Sequence, residues 1–258
     1  MIKLIRDRRI KNIAGWFLAV VLVFVSIGFA DKIQDRRFNG KIIIKITNQF
    51  NNYFIDENDL LAIIYAEGLD PEQESMPQNP NLGAIEKRLE AEWFISDAQI
   101  FRDLMGNLIV VATQRRPIAR IIRPDAPDAY ISEEGTVLPV SEKFTSRVML
   151  VSGEFTDQLV KTASLTLDDQ NRPYFDLIRF INADPFWKAQ ISQLEIAKDG
   201  KIKMYPQVTK QVIEFGLPED IEIKFRKLNV FYMKILPFKG WNYYHRVSLE
   251  YKDQIVCE

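Results

Sequence analysis

The sequence predicts an α+β protein: a single transmembrane helix, then a βααββ domain, then a second mixed domain with an antiparallel sheet and helices. Three observations carry this. Ile13 to Ala30 runs 18 residues without a charge. From Lys41 the apolar period switches from two to helical and back to two. Beyond Arg115 short alternating runs dominate, separated by turn residues. These divide the chain into a cytoplasmic N-terminus (1–12), an anchor (13–30), a juxtamembrane spacer (31–40), a first domain (41–115) and a second (116–258).

As a helix, the apolar run would be roughly 27 Å long at ~1.5 Å per residue, close to the ~30 Å of a bilayer core. Lys3, Arg6, Arg8, Arg9 and Lys11 precede it against the one acid Asp7. The positive-inside rule then keeps the N-terminus in the cytoplasm and sends everything after Asp31 across. Gly28-Phe29-Ala30 would suit a signal-peptide cleavage site, but the run exceeds the ~7–15 residues of such an h-region. The expectation is a single-pass protein of the cell inner (plasma) membrane, touching lipid through residues 13–30, with its bulk extracytoplasmic.

The first domain opens on a strand, Ile42, Ile44 and Ile46 alternating with Lys41, Ile43 and Lys45. Asp56 is placed to start a helix whose stripe is Leu60, Leu61, Ile63 and Ile64, ended at Gly68. Asp70 to Pro80, with three prolines, is loop. Asn81 can cap a second helix with Leu82, Ile85 and Leu89. Ala98 to Arg102 and Leu108 to Gln114 flank the turn at Met105-Gly106-Asn107 as an antiparallel pair.

After Pro117 come short strands at 119–122, 129–132, 136–139 and 147–151. Pro173 to Asn182 is a helix with Phe175, Ile178 and Ile181 on one side. Asp199-Gly200 joins 190–197 to 201–205 as a hairpin. Gln211 to Phe215 is a strand, and Glu219 to Leu236 a long amphipathic helix that Pro237 should stop. Asn242 to Tyr251 alternates as a last strand.

Composition narrows the chemistry. A net charge of −1 gives no basic surface for nucleic acid. The single cysteine, Cys257, excludes an intrachain disulfide. The single histidine, His245, would have to serve any Ser-His or Cys-His pair, and it sits in the expected last strand. One His and one Cys do not make a zinc site, and no Gly-rich phosphate loop is present. The carboxylate pairs Glu133-Glu134, Asp168-Asp169 and Glu219-Asp220 stand at turns or helix starts, where turn chemistry and the helix dipole account for them. The aromatic tract Phe231 to Tyr244 could form a sugar platform, although such a tract is more often helix core plus a strand, the reading adopted. The residues point to a binding module with no catalytic site, no cofactor, no metal and no small-molecule substrate.

Strand-helix-helix-strand-strand directly after an anchor is the pattern of a POTRA domain. More specific marks follow: Trp93, Ala98 to Ile100, Gly106, Leu108 to Val110, Pro117 with Ala119, and Tyr130 to Gly135. Phe186-Trp187, the Asp199-Gly200 hairpin, Glu214-Phe215-Gly216 and Lys224 to Leu228 continue in order. The chain thereby resembles the bacterial cell-division FtsQ/DivIB family, anchor included, with two departures: Ser132 stands where the family pattern has Asp, and the loop 70–80 is long. The resemblance implies a non-catalytic divisome scaffold at the division septum. It would recruit FtsB-like and FtsL-like bitopic proteins and help regulate septal wall synthesis. The alternatives are a POTRA-bearing membrane assembly factor, which would need a following barrel, and an anchored cell-wall hydrolase or peptidase, which would need a nucleophile or acid–base pair.

A sheet that ends near a chain terminus leaves unpaired main-chain groups that a partner strand can use. This places partner binding on the last strand, at Tyr244, Arg246, Val247, Ser248, Leu249, Glu250 and Tyr251. The alternation sets Arg246, Ser248 and Glu250 on one face and Val247, Leu249 and Tyr251 on the other.

Overall fold

The computed structural model describes residues 41–66 and 81–258. The expected cytoplasmic segment, anchor and spacer, and the loop 70–80, lie outside the described residues. Among the described residues, no helix is long and apolar enough to cross a membrane.

The βααββ order is as expected: β1 (Ile42–Thr47), α1 (Glu57–Ala66), α2 (Leu82–Glu90), β2 (Ile95–Arg102) and β3 (Leu108–Gln114). They include a three-stranded sheet of order β1-β3-β2. The alternation in β1 is real, with Ile42, Ile44 and Ile46 half-buried and Ile43 and Lys45 exposed. Leu60 and Ile64, one helical turn apart, are the buried residues of α1. Asn81 caps α2, its Oδ1 accepting from the Ala84 amide at 3.1 Å. Asp103 folds the β2–β3 turn around itself, accepting from the amides of Met105 (2.9 Å) and Asn107 (2.7 Å).

The second domain is built on a nine-stranded sheet of order β12-β11-β10-β9-β8-β7-β4-β5-β6. Its strands are β4 (Pro117–Ile121), β5 (Ala129–Ser132), β6 (Val137–Pro139), β7 (Met149–Ser152), β8 (Ile191–Ile196), β9 (Ile202–Pro206), β10 (Val212–Gly216), β11 (Arg246–Ser248) and β12 (Val256–Cys257). The expectation of an antiparallel sheet needs correction: β4–β7, β7–β8 and β10–β11 are parallel. Parallel neighbours need long crossovers. The helices read from the sequence supply two of them. Between β7 and β8 lie α3 (Thr156–Leu159), a 3₁₀ turn (Leu165–Leu167), α4 (Arg172–Ala183) and α5 (Pro185–Gln190). Between β10 and β11 lie α6 (Ile221–Val230), a π-helical turn (Phe231–Ile235) and α7 (Leu236–Lys239).

Apolar faces of these helices share one core with the sheet: Phe175, Ile178 and Ile181 of α4, Trp187 of α5 and Phe225 and Leu228 of α6 pack with Val151, Leu194, Ile213 and Phe215. The predicted helix of residues 219–236 runs without interruption over 221–239, with a π-helical turn inside it. Leu236 donates its amide to the Phe231 carbonyl, five residues back. The widened turn resets the register, so Pro237 falls in the first turn of α7, where its missing N–H costs nothing. Sequence reading missed α5, although Asp184-Pro185 spells its start: the Asp184 carboxylate accepts from the amides of Phe186 (2.8 Å) and Trp187 (3.2 Å). Ser132 replaces Asp without loss of the turn, because its Oγ accepts from the Thr136 amide at 3.1 Å.

Packing divides the chain into two units. One holds residues 41–45, 57–66, 81–88 and 99–111, the other residues 46–56, 89–98 and 112–258. The second unit therefore has a small additional core. Phe54 stacks on Phe94 at 4.6 Å and meets the edges of Phe144 (5.2 Å) and Tyr130 (5.6 Å). Beside it Ser146 Oγ donates to Asn52 Oδ1 at 2.6 Å.

Candidate partner-binding edge

Any sheet of nine strands has two ends, and their outer sides differ here. At the β6 end, Val137 donates its amide to the Ala163 carbonyl at 3.0 Å, and Thr136 bridges to Ser164. The segment before the 3₁₀ turn thus covers β6, and Pro139 removes a further donor. At the other end stands β12, with no strand on its outer side among the described residues.

The main-chain directions of β12 follow from its pairing. Arg246 and Glu258 exchange both bonds, N–H to O=C, at 3.0 and 2.9 Å. Val247 lies opposite Cys257, and Ser248 opposite Val256. In an antiparallel ladder the pairs alternate between bonded and non-bonded. Glu258 and Val256 therefore bond inward to β11, and the N–H and C=O of Cys257 point to the open side. The Cys257 side chain packs half-buried against the main core, and burial pushes its thiol pKa up.

This redraws the expected site. The strand predicted over 242–251 shrinks to Arg246–Ser248, and it is internal, paired with β10 on one side and β12 on the other. Tyr244 leaves the ladder to pack on Phe231, ring centroids 6.0 Å apart. The predicted alternation of faces also fails: Val247, Ser248 and Leu249 are all buried in succession. Three side chains of the expected set remain exposed. Arg246 bridges Glu214 of β10 at 2.8 Å and Glu258 at 3.0 Å. Glu250 pairs with Lys201 at 2.9 Å, and Tyr251 is free of the core. Tyr251 lies in the turn between β11 and β12, with Tyr243 exposed just before β11.

What holds that turn was not read from the sequence. Lys227 of α6 donates its Nζ to the carbonyls of Tyr251 (2.6 Å), Leu249 (3.3 Å) and Lys252 (3.3 Å). The β11–β12 connection thereby becomes a fixed extension of the helix layer. Glu214 is held below the usual carboxylate range, first by its hydrogen bond from Arg246. A carboxyl depressed on folding stabilises above its unfolded pKa, and that contribution is lost as pH falls through the folded value. Unfolding titrations of Glu214→Gln should therefore show a shallower loss of stability in acid than the parent, and a lower stability at neutral pH.

Among the described residues no three His, Cys, Asp or Glu side chains gather as a metal site. His245 is exposed, and its main chain serves the ladder: its amide donates to the Glu258 carbonyl at 2.7 Å and its carbonyl accepts from Val212 at 2.9 Å.

Comparison with known families gives two matches. The model for "FtsQ/DivIB, C-terminal related" covers residues 116–258, and that for "POTRA-like domain" covers residues 39–113. No curated protein matches the chain.

Proposed function

The chain belongs to the FtsQ/DivIB family, and from that premise we propose that it is a non-catalytic division scaffold whose β12 edge receives a strand from a small bitopic division protein. Residues 13–30 anchor it in the inner membrane, with the two domains on the extracytoplasmic side. Its partners are of the FtsB and FtsL type, and by holding them at the septum it helps regulate wall synthesis there.

The observation that carries this reading is the asymmetry of the sheet. One end is covered by residues 163–164, and the other offers the main chain of Cys257. Strand addition takes its affinity from main-chain bonds and its specificity from flanking side chains. Tyr243 and Tyr251 are exposed aromatic rings near the two ends of the β11–β12 pair, and aromatic anchors dominate interface energetics. The charged rim of Arg246 and Glu258 guards against unselective pairing.

Hydrogen exchange tests the reading. With the full chain in lipid nanodiscs, adding the extracytoplasmic segment of an FtsB-type partner should slow amide exchange at residues 255–258. Exchange there that does not change on saturating addition would reject the edge as the docking site.

A further inference from the structure

We propose that the tip of the β2–β3 hairpin is seated in the headgroup boundary of the membrane that carries the chain's own anchor; this rests on residues 13–30 being that anchor. The tip presents an apolar pair to solvent: Leu104 is fully exposed and Met105 is 88% exposed, with Phe101 of β2 half-exposed beside them. Large exposed apolar side chains gathered on one turn mark a contact surface.

The path of the chain says what that surface meets. Lys41 donates its amide to Asn107 Oδ1 at 3.0 Å, and its carbonyl accepts from Leu108 at 3.0 Å. The first described residue is thus tied to the same turn. Only residues 31–40 separate it from the apolar run, a stretch that reaches at most about 33–36 Å when fully extended. A surface tethered so close to a bilayer meets it at a high effective concentration. Lys32, Arg36 and Arg37 outnumber Asp31 and Asp35 over this stretch, which suits headgroup phosphates.

The turn is also built to enter a medium poor in water, where unbonded main-chain groups are costly. The Asp103 amide donates to the Asn107 carbonyl at 3.0 Å, and the Gly106 amide to the Asp103 carbonyl at 3.1 Å. The amides of Met105 and Asn107 go to Asp103 Oδ1, and Asn107 Nδ2 to its Oδ2 at 2.8 Å. Asp103 is thereby turned to the main chain, while Leu104 and Met105 project outward.

The test uses the full chain, in a Cys257→Ser background, reconstituted into vesicles of phosphatidylethanolamine and phosphatidylglycerol. An environment-sensitive fluorophore is placed on Leu104→Cys, or separately on Leu22→Cys within the apolar run. The label at 104 should emit to the blue of its position in detergent-free buffer and be quenched by lipids carrying a shallow spin label. Adding Met105→Asp should abolish the quenching while circular dichroism stays unchanged, because Met105 makes no core contact. A label at 22 quenched by deep spin label, with none at 104 quenched by the shallow one, overturns the hairpin inference and leaves the anchor standing. An unquenched label at 22 overturns the anchor, and the inference with it. A blue shift at 104 without lipid quenching assigns the tip to a protein surface and also overturns the proposal.

Discussion

Gly153→Ala should destabilise the second domain by several kcal/mol, whereas Gly240→Ala should cost only the ~1–3 kcal/mol of its backbone strain. Both glycines hold left-handed backbone at matched angles, φ 105° and 102°. The strain of forcing an L side chain into such a conformation is roughly 1–3 kcal/mol at either place. Surroundings separate them. A Cβ at Gly240 meets nothing within 4 Å, whereas at Gly153 it would lie 2.2 Å from the Ile196 carbonyl oxygen and 2.8 Å from its nitrogen. Those atoms are backbone, at the end of β8 where it runs parallel to β7. The clash cannot be relieved by a rotamer. It must push apart the β7–β8 pair and break the Phe155 amide bond to the Ile196 carbonyl. Overpacking adds a further ~1–3 kcal/mol or more. Against a domain stability of about 5–15 kcal/mol, the sum removes much of the margin. Chemical denaturation of the pair of variants measures the difference, and a similar midpoint for both would contradict the close approach of β7 and β8.

Phe225→Ala should cost about 3–5 kcal/mol and should weaken partner binding at the same time. Phe225 is 3% exposed. Its ring lies 4.8 Å from Phe180, 5.0 Å from Trp187 and 5.7 Å from Phe215, joining α4, α5 and β10 to α6. Emptying that site leaves a cavity among three aromatic rings that cannot close without moving a helix. Two residues on, Lys227 holds the turn from Leu249 to Lys252. Loss of the α6 seat therefore loosens the turn that presents Tyr251 and β12. Lys227→Met separates the effects: the core stays, the three carbonyls of the turn lose their shared donor, and binding should fall with little change in melting temperature. Equal loss of binding and stability in both variants would tie the turn to the core rather than to the lysine.

The elements legible in the sequence are those whose signal is local. The Asp199-Gly200 hairpin is one: Gly200 has φ 83°, and its amide closes the turn on the Ala197 carbonyl at 2.9 Å. The helix read over 173–182 is α4 at Arg172–Ala183, because its apolar spacing matches the face it buries. Which strands pair is a tertiary matter, so the parallel seams were not visible. Nor was the reset at Phe231–Ile235, since a π turn carries no distinct residue pattern and Pro237 normally reads as a stop.

The site was half legible for the same reason. The end of the sheet was placed in the right part of the chain, but the period-2 pattern of 243–251 overstated the strand. Leu249 is buried and its carbonyl serves Lys227, so the turn begins there. The true outer strand is two residues long, too short for periodicity to register. A signal did exist, in the Lys252-Asp253 turn followed by the apolar pair Ile255-Val256. The family matches, POTRA-like over 39–113 and then FtsQ/DivIB C-terminal related over 116–258, agree with the resemblance read from the sequence.

The central claim, that β12 takes the partner's strand through its outward main chain, is tested most directly by comparing Cys257→Pro with Cys257→Ser. Proline removes the one amide of β12 that points away from β11 and leaves the inward bonds of Val256 and Glu258 in place. Serine keeps that amide and alters only the side chain. Affinity for an FtsB-type segment, measured by titration calorimetry on variants with unchanged circular dichroism, should survive in Cys257→Ser. It should drop at least about tenfold in Cys257→Pro, the loss expected for one main-chain bond left unmade. Equal affinities in the two variants would contradict strand addition at β12.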